Sequence, residues 1–377
     1  MRIAFYAPMK PPDHPQPSGD RRMARLLMAA LRRAGHQVDL ASRLRSRDGA
    51  GDPAHQARIA RTGAATAERL LRRYREQPAA ARPRAWMTYH LYYKAPDWLG
   101  PAVSAGLNIP YIAVEASLAN KRAEGPWAGG HQATAAALSH AAAVISLNPA
   151  DTACLPDPTR VHSLSPFLDA APFRTAAARR DRERTRLAAQ LGIPSGSPWL
   201  LAVAMMRPGD KLTSYRQLAA ALAGVPERDW QLLIVGDGPA RPAVTEAFAG
   251  AAPGRVHVLG AWPGQRLPAL YAASDLLVWP AHNEAYGMAL LEAQAAGLPV
   301  LAGASGGIAS IVRDGRTGVL TPPGDIAAFA GALDKLLAAP VQRRAMAEAA
   351  LTTVASEHNL DQAAARLEAI LTEVTRS

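Results

Sequence analysis

The chain has a single cysteine, Cys154, in 377 residues. That excludes an internal disulfide and any metal centre built from several cysteines, and it fits a reducing compartment. Aromatic residues make up only 6% of the sequence. The basic residues are not interleaved with them, and no zinc-finger or RNA-binding signature is present, so nucleic acid is not an expected partner. No run approaches the roughly 18 apolar residues that a membrane-spanning helix needs. The opening residues 1–8 form a short apolar stretch cut by Pro8, Pro11 and Pro12, without the longer apolar core of a signal peptide. The expectation is a cytoplasmic protein. The polar, charge-rich signature of disorder is also missing. A 49% hydrophobic fraction over this length is enough to fill two cores.

Acidic residues are the scarcer charge, 31 against 42 Lys and Arg, giving a net charge of +11. Residues 1–170 carry 22 Lys and Arg against 13 Asp and Glu, whereas the remainder is close to balanced at 20 against 18. The densest basic patch is Arg58, Arg61, Arg69, Arg72, Arg73 and Arg75. Solubility is one reading of it. The other is attraction to an anionic membrane surface or an anionic acceptor.

Two passes of alternating strand and helix can be read. Residues 2–7 form a buried-strand pattern, followed by a Pro/Gly-rich loop. A helix over 21–34 then shows Met23, Leu26, Leu27, Ala30 and Leu31 on one face, and a strand follows at 38–41. This is the β-loop-α-β unit of a doubly wound sheet. Further short strands are predicted at 85–89, 111–114 and 143–147. A linker is expected near 168–175, then a helix at 179–191. A second series follows, with strands at 199–204, 231–235, 256–259, 276–279 and 299–302 and helices at 217–223, 240–249 and 288–296. The tail 361–374 is helical in pattern. The expected domains are 1–170, 171–355 and a C-terminal helix within 356–377.

Residues 274–325 carry the chemistry. A buried strand ends at Trp279, a loop runs to Tyr286, and Gly287 opens a helix that Gly297 stops. A loop at a strand's carboxyl end that feeds a helix N-terminus is where α/β sheets bind ligands. Exposed amides at Gly287, Met288 and Ala289, with the helix dipole, suit a diphosphate. Glu284 in the loop and Glu292 in the helix flank that point, and each carboxylate can accept two hydroxyl hydrogen bonds from a sugar or ribose. Ser305-Gly306-Gly307 forms a second glycine-rich turn after the next strand.

This stretch resembles the signature of the retaining glycosyltransferases of family 4, two glutamates separated by seven residues, here Glu284 and Glu292. Other pieces stand in family order: Val235-Gly236-Asp237-Gly238-Pro239, Val258-Leu259-Gly260, Ser274-Asp275, Gly306-Gly307, Asp314-Gly315, Gly318 and Pro323-Gly324-Asp325. The likeness covers about 175 residues. It implies two Rossmann-like α/β domains facing across a cleft (the GT-B fold). It also implies metal-independent transfer from a UDP- or GDP-linked sugar, with no separate cofactor. Glu284 would hold donor-sugar hydroxyls and Glu292 the ribose. Backbone at Gly236 and from Tyr286 to Ala289 would meet the donor. The family's basic pair, which neutralises the leaving diphosphate, corresponds to Arg207 and Lys211. Its spacing here is one residue shorter than usual, Leu212 replaces a glycine, and Ser310 stands where a glutamate is common.

The N-terminal half resembles the family more loosely. Pro17-Ser18-Gly19 matches the glycine loop that approaches donor phosphates. Glu115, after the strand at 111–114, stands where the family often has a histidine; it is a candidate for binding a hydroxyl or taking an acceptor's proton, or for a salt bridge. His90 is a second candidate for lining the cleft. Lys121 and Arg122 are placed to meet an anionic acceptor, and His131 with Trp127, Gly125, Gly129 and Gly130 reads as a mobile loop beside them. Tyr89, Tyr92, Tyr93 and Trp98 form an aromatic cluster, by default core packing, the alternative being stacking on a sugar acceptor. Rival readings are a nucleotide-sugar epimerase or hydrolase on the same fold, and a non-catalytic nucleotide-sugar binding protein.

Overall fold

Short apolar runs bounded by turn residues pair in parallel when helices cover both sheet faces, and both halves of the chain do this. The structure is a computed structural model that describes residues 1–16, 18–225, 229–250, 254–284 and 287–376. It divides into one unit formed by Met1–Ser165 with Leu360–Ser377 and a second formed by Pro166–Asn359.

The first unit comprises β1 (Arg2–Tyr6), α1 (Gly19–Arg33), β2 (Gln37–Ser42), α2 (Pro53–Glu76), β3 (Ala85–Leu91), α3 (Gly100–Leu107), β4 (Tyr111–Ala116), α4 (Ala128–His140), β5 (Ala143–Ser146) and β6 (Val161–Ser163). The sheet is parallel throughout, in the order β2-β1-β3-β4-β5-β6. In β1, Ile3, Ala4, Phe5 and Tyr6 are all buried. Helix α1 begins two residues before the predicted start because the Ser18 hydroxyl accepts the Arg21 amide at 3.2 Å and caps it. Helix α2 buries Ile59, Gly63, Ala67, Leu70 and Tyr74, and Arg58, Arg61, Arg69, Arg72, Arg73 and Arg75 are exposed.

The second unit comprises α5 (Ala171–Ala177), α6 (Arg180–Leu191), β7 (Trp199–Val203), α7 (Asp210–Ala223), β8 (Gln231–Val235), α8 (Arg241–Phe248), β9 (Val256–Gly260), α9 (Leu267–Ala273), β10 (Leu276–Trp279), α10 (Met288–Ala295), β11 (Val300–Gly303), β12 (Gly318–Thr321), α11 (Ile326–Ala338) and α12 (Pro340–Glu357). Its parallel sheet runs β12-β11-β10-β7-β8-β9. Counted from β7, this is the doubly wound 3-2-1-4-5-6 order. The last helix, α13 (Leu360–Arg376), packs on α1 of the first unit. It buries Ala363, Ala364, Leu367, Ile370 and Leu371, and Asp361 accepts from Arg33 at 2.6 Å.

Three sequence expectations are corrected. The segment expected as a linker near 168–175 contains α5, whose Phe173 packs on Tyr271 at 6.0 Å, and the units divide at 165/166 and 359/360. The helix expected at 217–223 starts at Asp210, two turns earlier. The mobile loop expected around 125–131 is helical from Ala128, and Gly130 is buried against the Tyr93 carbonyl, where a Cβ would sit 2.1 Å away.

Several of the ordered family pieces are architectural. Asp275 at the amino end of β10 accepts from Arg180 at 2.6 Å, Arg184 at 3.0 Å and the Trp199 amide at 2.7 Å. Asp314 accepts the Leu320 amide at 2.8 Å, and Asp325 caps α11 through Ala328 at 2.8 Å.

Candidate functional site

A doubly wound sheet opens a crevice where its strand order reverses, because the helices after the two central strands leave toward opposite faces. In the second unit that point lies between β7 and β10. The loop after β7 carries Arg207, and Gly209, at φ +83°, turns the chain into α7 with Lys211 in its first turn. The loop after β10 carries Glu284. Lys211 Nζ and Glu284 Oε2 form an ion pair, and the Trp279 indole donates to the same oxygen at 3.2 Å. Lys211 also lies 5.5 Å from the Trp279 ring centre, and Tyr215 meets that ring edge-on at 5.0 Å.

The β10 loop is hooked onto the first two turns of α7. The His282 amide donates to Ser214 Oγ at 3.0 Å and the Asn283 side chain to Asp210 at 3.3 Å. The Glu284 amide donates to Ser305 Oγ at 3.2 Å, which ties in the turn after β11. Ala281 and Asn283 take left-handed backbone at φ +58° and +52°. Asn tolerates this, but Ala pays a steric cost of roughly 1 kcal/mol, held in place by the surrounding bonds.

Gly236 and Gly238 let the loops after β7 and β8 close on each other. A Cβ at Gly236 would lie 1.8 Å from the Ala204 carbonyl oxygen and one at Gly238 2.3 Å from that of Met206. The backbone bonds Met206 N to Asp237 O and Ala240 N to Met206 O, each 3.0 Å, hold the pair. Gly287 is left-handed at φ +65° and leads into α10 without a side-chain cap. The first amides of that helix, from Met288 and Ala289, lack partners four residues back within the helix. Glu292, on the second turn, is buried at 4% exposure. Tyr286 and Pro17 lie outside the described residues. Arg207 is exposed and donates to Met205 Sδ at 3.1 Å. The structure thus brings Lys211 and Glu284 together, with Trp279, Asp210 and Ser214 as partners that periodicity does not reveal.

In the first unit the order reverses between β1 and β3. Gly19 opens α1 after β1, and His90, at φ +65°, is the last residue but one of β3. His90 Nδ1 pairs with Asp20 at 2.8 Å. Burial pushes the Asp20 carboxyl up, but the His90 bond and charge, its own amide and Lys10 outweigh it and leave it below the usual carboxylate range. Glu115, left-handed at φ +56°, accepts the Leu147 amide at 2.5 Å. Burial, with the charges of Asp20 and Glu115, raises the Tyr89 hydroxyl well above its ordinary pKa. Lys121 is exposed; Arg122 and His131 are half-buried. Rings form a chain from His90 to Tyr92 (5.1 Å), Tyr93 (5.5 Å) and Trp127 (5.8 Å).

Residues 197–339, which hold all six strands of the second sheet, match the family described as Glycosyl transferases group 1. The chain is 35% identical over 206 residues to a D-inositol 3-phosphate glycosyltransferase of Salinispora arenicola, covering 52% of this chain and 45% of that one. It is 30% identical over 216 residues to the alpha-D-kanosaminyltransferase of Streptomyces kanamyceticus, covering 57% and 55%. The chain therefore spans about half the length of these curated relatives. A glycosyltransferase structure from Rickettsia africae superposes with a TM-score of 0.74 at 17% identity, over 99% of this chain and 98% of that one. Anabaena HepE, solved with UDP-glucose, superposes with a TM-score of 0.70 at 17% identity, over 100% and 98%. These structures share the GT-B fold. The likeness to the group 1 glycosyl transferases is thus one of residues 197–339, within the second unit.

Proposed function

We propose that the protein transfers a sugar, a hexose by preference, from a nucleotide diphosphate donor to an acceptor, with retention at the anomeric carbon. The observation that carries this reading is the Lys211–Glu284 pair at the β7/β10 reversal, one helix start away from buried Glu292. The leaving diphosphate gains charge as the glycosidic bond breaks. Arg207, Lys211 and the Met288 and Ala289 amides at the α10 dipole supply fixed positive potential there. Glu284 has lone pairs for sugar hydroxyls beyond the two donors now on Oε2. Glu292 holds the ribose. Among the described residues no enzymic nucleophile stands out, so the expected course is front-face displacement with the leaving phosphate taking the acceptor's proton. The test is nucleotide release from UDP- and GDP-sugars with and without acceptor. Acceptor-dependent release with retained configuration supports the reading; release without acceptor, epimerisation, or binding alone replaces it.

Glu292→Ala is expected to weaken UDP binding about 10- to 100-fold, the loss of charge-assisted hydrogen bonds, while the far-ultraviolet spectrum is kept. Unchanged affinity in the folded variant removes the ribose role.

The acceptor, or the surface bearing it, is proposed to be anionic. No helix among the described residues is long and apolar enough to cross a membrane. The exposed arginines of α2 supply peripheral attraction instead, about 1 kcal/mol for each basic residue near an anionic bilayer. Sedimentation with anionic vesicles is expected at low salt and lost at 1 M, where the Debye length is about 3 Å, with none on neutral vesicles. Equal binding to both, or to neither, removes the membrane.

A further inference from the structure

Lys94 and Arg122 lie against the same two rings of the first unit. Lys94 Nζ is 5.7 Å from the Tyr93 ring centre and 5.0 Å from that of Trp127; the Arg122 guanidinium carbon is 5.7 and 5.1 Å away. The rings meet edge to face at 5.8 Å. Like charges gathered on one aromatic pair repel. Among the described residues neither cation has a carboxylate partner, and Arg122 Nε and His131 Nε2 are buried without a hydrogen-bond acceptor or donor.

The cluster is held from several sides. The Trp127 indole donates to the Asp48 carbonyl at 3.4 Å, and the Asp48 amide donates to the Lys94 carbonyl at 2.8 Å. Gly51, left-handed at φ +77°, passes so close that a Cβ would lie 3.2 Å from the Trp127 ring. Gly130 seats the first turn of α4 on the Tyr93 backbone. The acid of this loop, Asp48, accepts from the Ala50 and Asp52 amides, each at 2.9 Å, and from Gln56 at 2.7 Å, rather than from either cation.

Two cations without counter-charge, beside buried unspent ring and guanidinium nitrogens, are chemistry for an anion. A carboxylate carries one charge, which a single Arg satisfies. A phosphate monoester carries about −1.5 to −2 at pH 7 and matches two cations. The ring path from Trp127 through Tyr93 and Tyr92 leads from this cluster to His90 at the β1/β3 reversal. We propose that Lys94 and Arg122, mounted on Tyr93 and Trp127, bind the phosphate monoester of the acceptor, with the rest of that molecule lying along the rings toward His90. The word acceptor rests on the glycosyl-transfer reading; the phosphate site itself does not.

The test is calorimetric binding of inorganic phosphate and of glucose 6-phosphate to the full chain, with saturating UDP to occupy the second unit. The variants are Lys94→Gln, Arg122→Gln and the pair. The native protein is expected to bind both probes, the double variant at least about tenfold more weakly, with UDP affinity unchanged as the control for folding. A parallel arm sediments the proteins with vesicles containing phosphatidic acid. Binding there that the double variant loses, with no binding of glucose 6-phosphate, assigns the phosphate to a lipid headgroup. No phosphate binding in any arm, or equal binding by native and double variant, overturns the site. A native protein that binds neither UDP nor GDP but shows the phosphate difference refutes the donor reading and supports this one.

Discussion

Lys211→Met is expected to lower kcat by about 10²- to 10³-fold, the cost of removing one preorganised partner of a developing negative charge. The substitution does two things at once. Under the proposed function it takes away a cation facing the leaving diphosphate, and it leaves the Glu284 carboxylate, only 16% exposed, without its charge partner. UDP affinity is expected to fall less, about tenfold, because Arg207 and the α10 amides remain. Glu284→Gln supplies the other half of the comparison. It is expected to lower turnover with little effect on UDP affinity, since the bare nucleotide has no sugar to hold. If the ion pair is merely architectural, the double variant Lys211→Met with Glu284→Gln recovers activity toward the native level. If the residues act on the donor, it does not, and steady-state kinetics beside UDP titration decides.

Gly303→Ala is expected to cost about 3 kcal/mol, at the upper end for overpacking, with a fall of roughly 6–12 °C in melting temperature. Gly303 ends β11, and a Cβ there would stand 2.1 Å from the Pro280 carbonyl oxygen. That atom is backbone and cannot rotate away. Pro280 begins the loop that carries Glu284, so activity is expected to fall further than the lost stability explains. Gly331→Ala is the matched control: nothing lies within 4 Å of a Cβ there, in the middle of α11, and Ala is the better helix former. A Gly303 variant that melts with the control shows that the loop shifts at no cost.

The residues of this region differ in how far sequence exposes them. Glu284 and Glu292 are legible because their spacing survives as a pattern, and short apolar strands such as β1 and β3 because both of their faces are buried. The first two turns of α7 were not legible. Asp210, Lys211 and Thr213 give no apolar stripe, and the turns are fixed instead by bonds to the β10 loop, a contact across 68 residues in the case of His282 and Ser214. The His90–Asp20 pair spans 70 residues and becomes visible only once β1 and β3 are neighbours. Trp127 and its glycines read as a flexible loop because glycine loosens a chain by default. Here Gly130 serves close packing, which depends on Tyr93, a residue 37 positions earlier in the sequence.

Helix α13 gives the chain an unusual order of completion during synthesis. The second unit is one uninterrupted stretch, Pro166–Asn359, whereas the first is closed only by Leu360–Ser377. Domains generally fold as units as they leave the ribosome, at about 5–20 residues per second. The unit made first must therefore wait, with the face of α1 that α13 covers still bare, until the unit made second has been translated in full. A stop after Asn359 would leave a finished second unit joined to a first one whose α1 face is still bare.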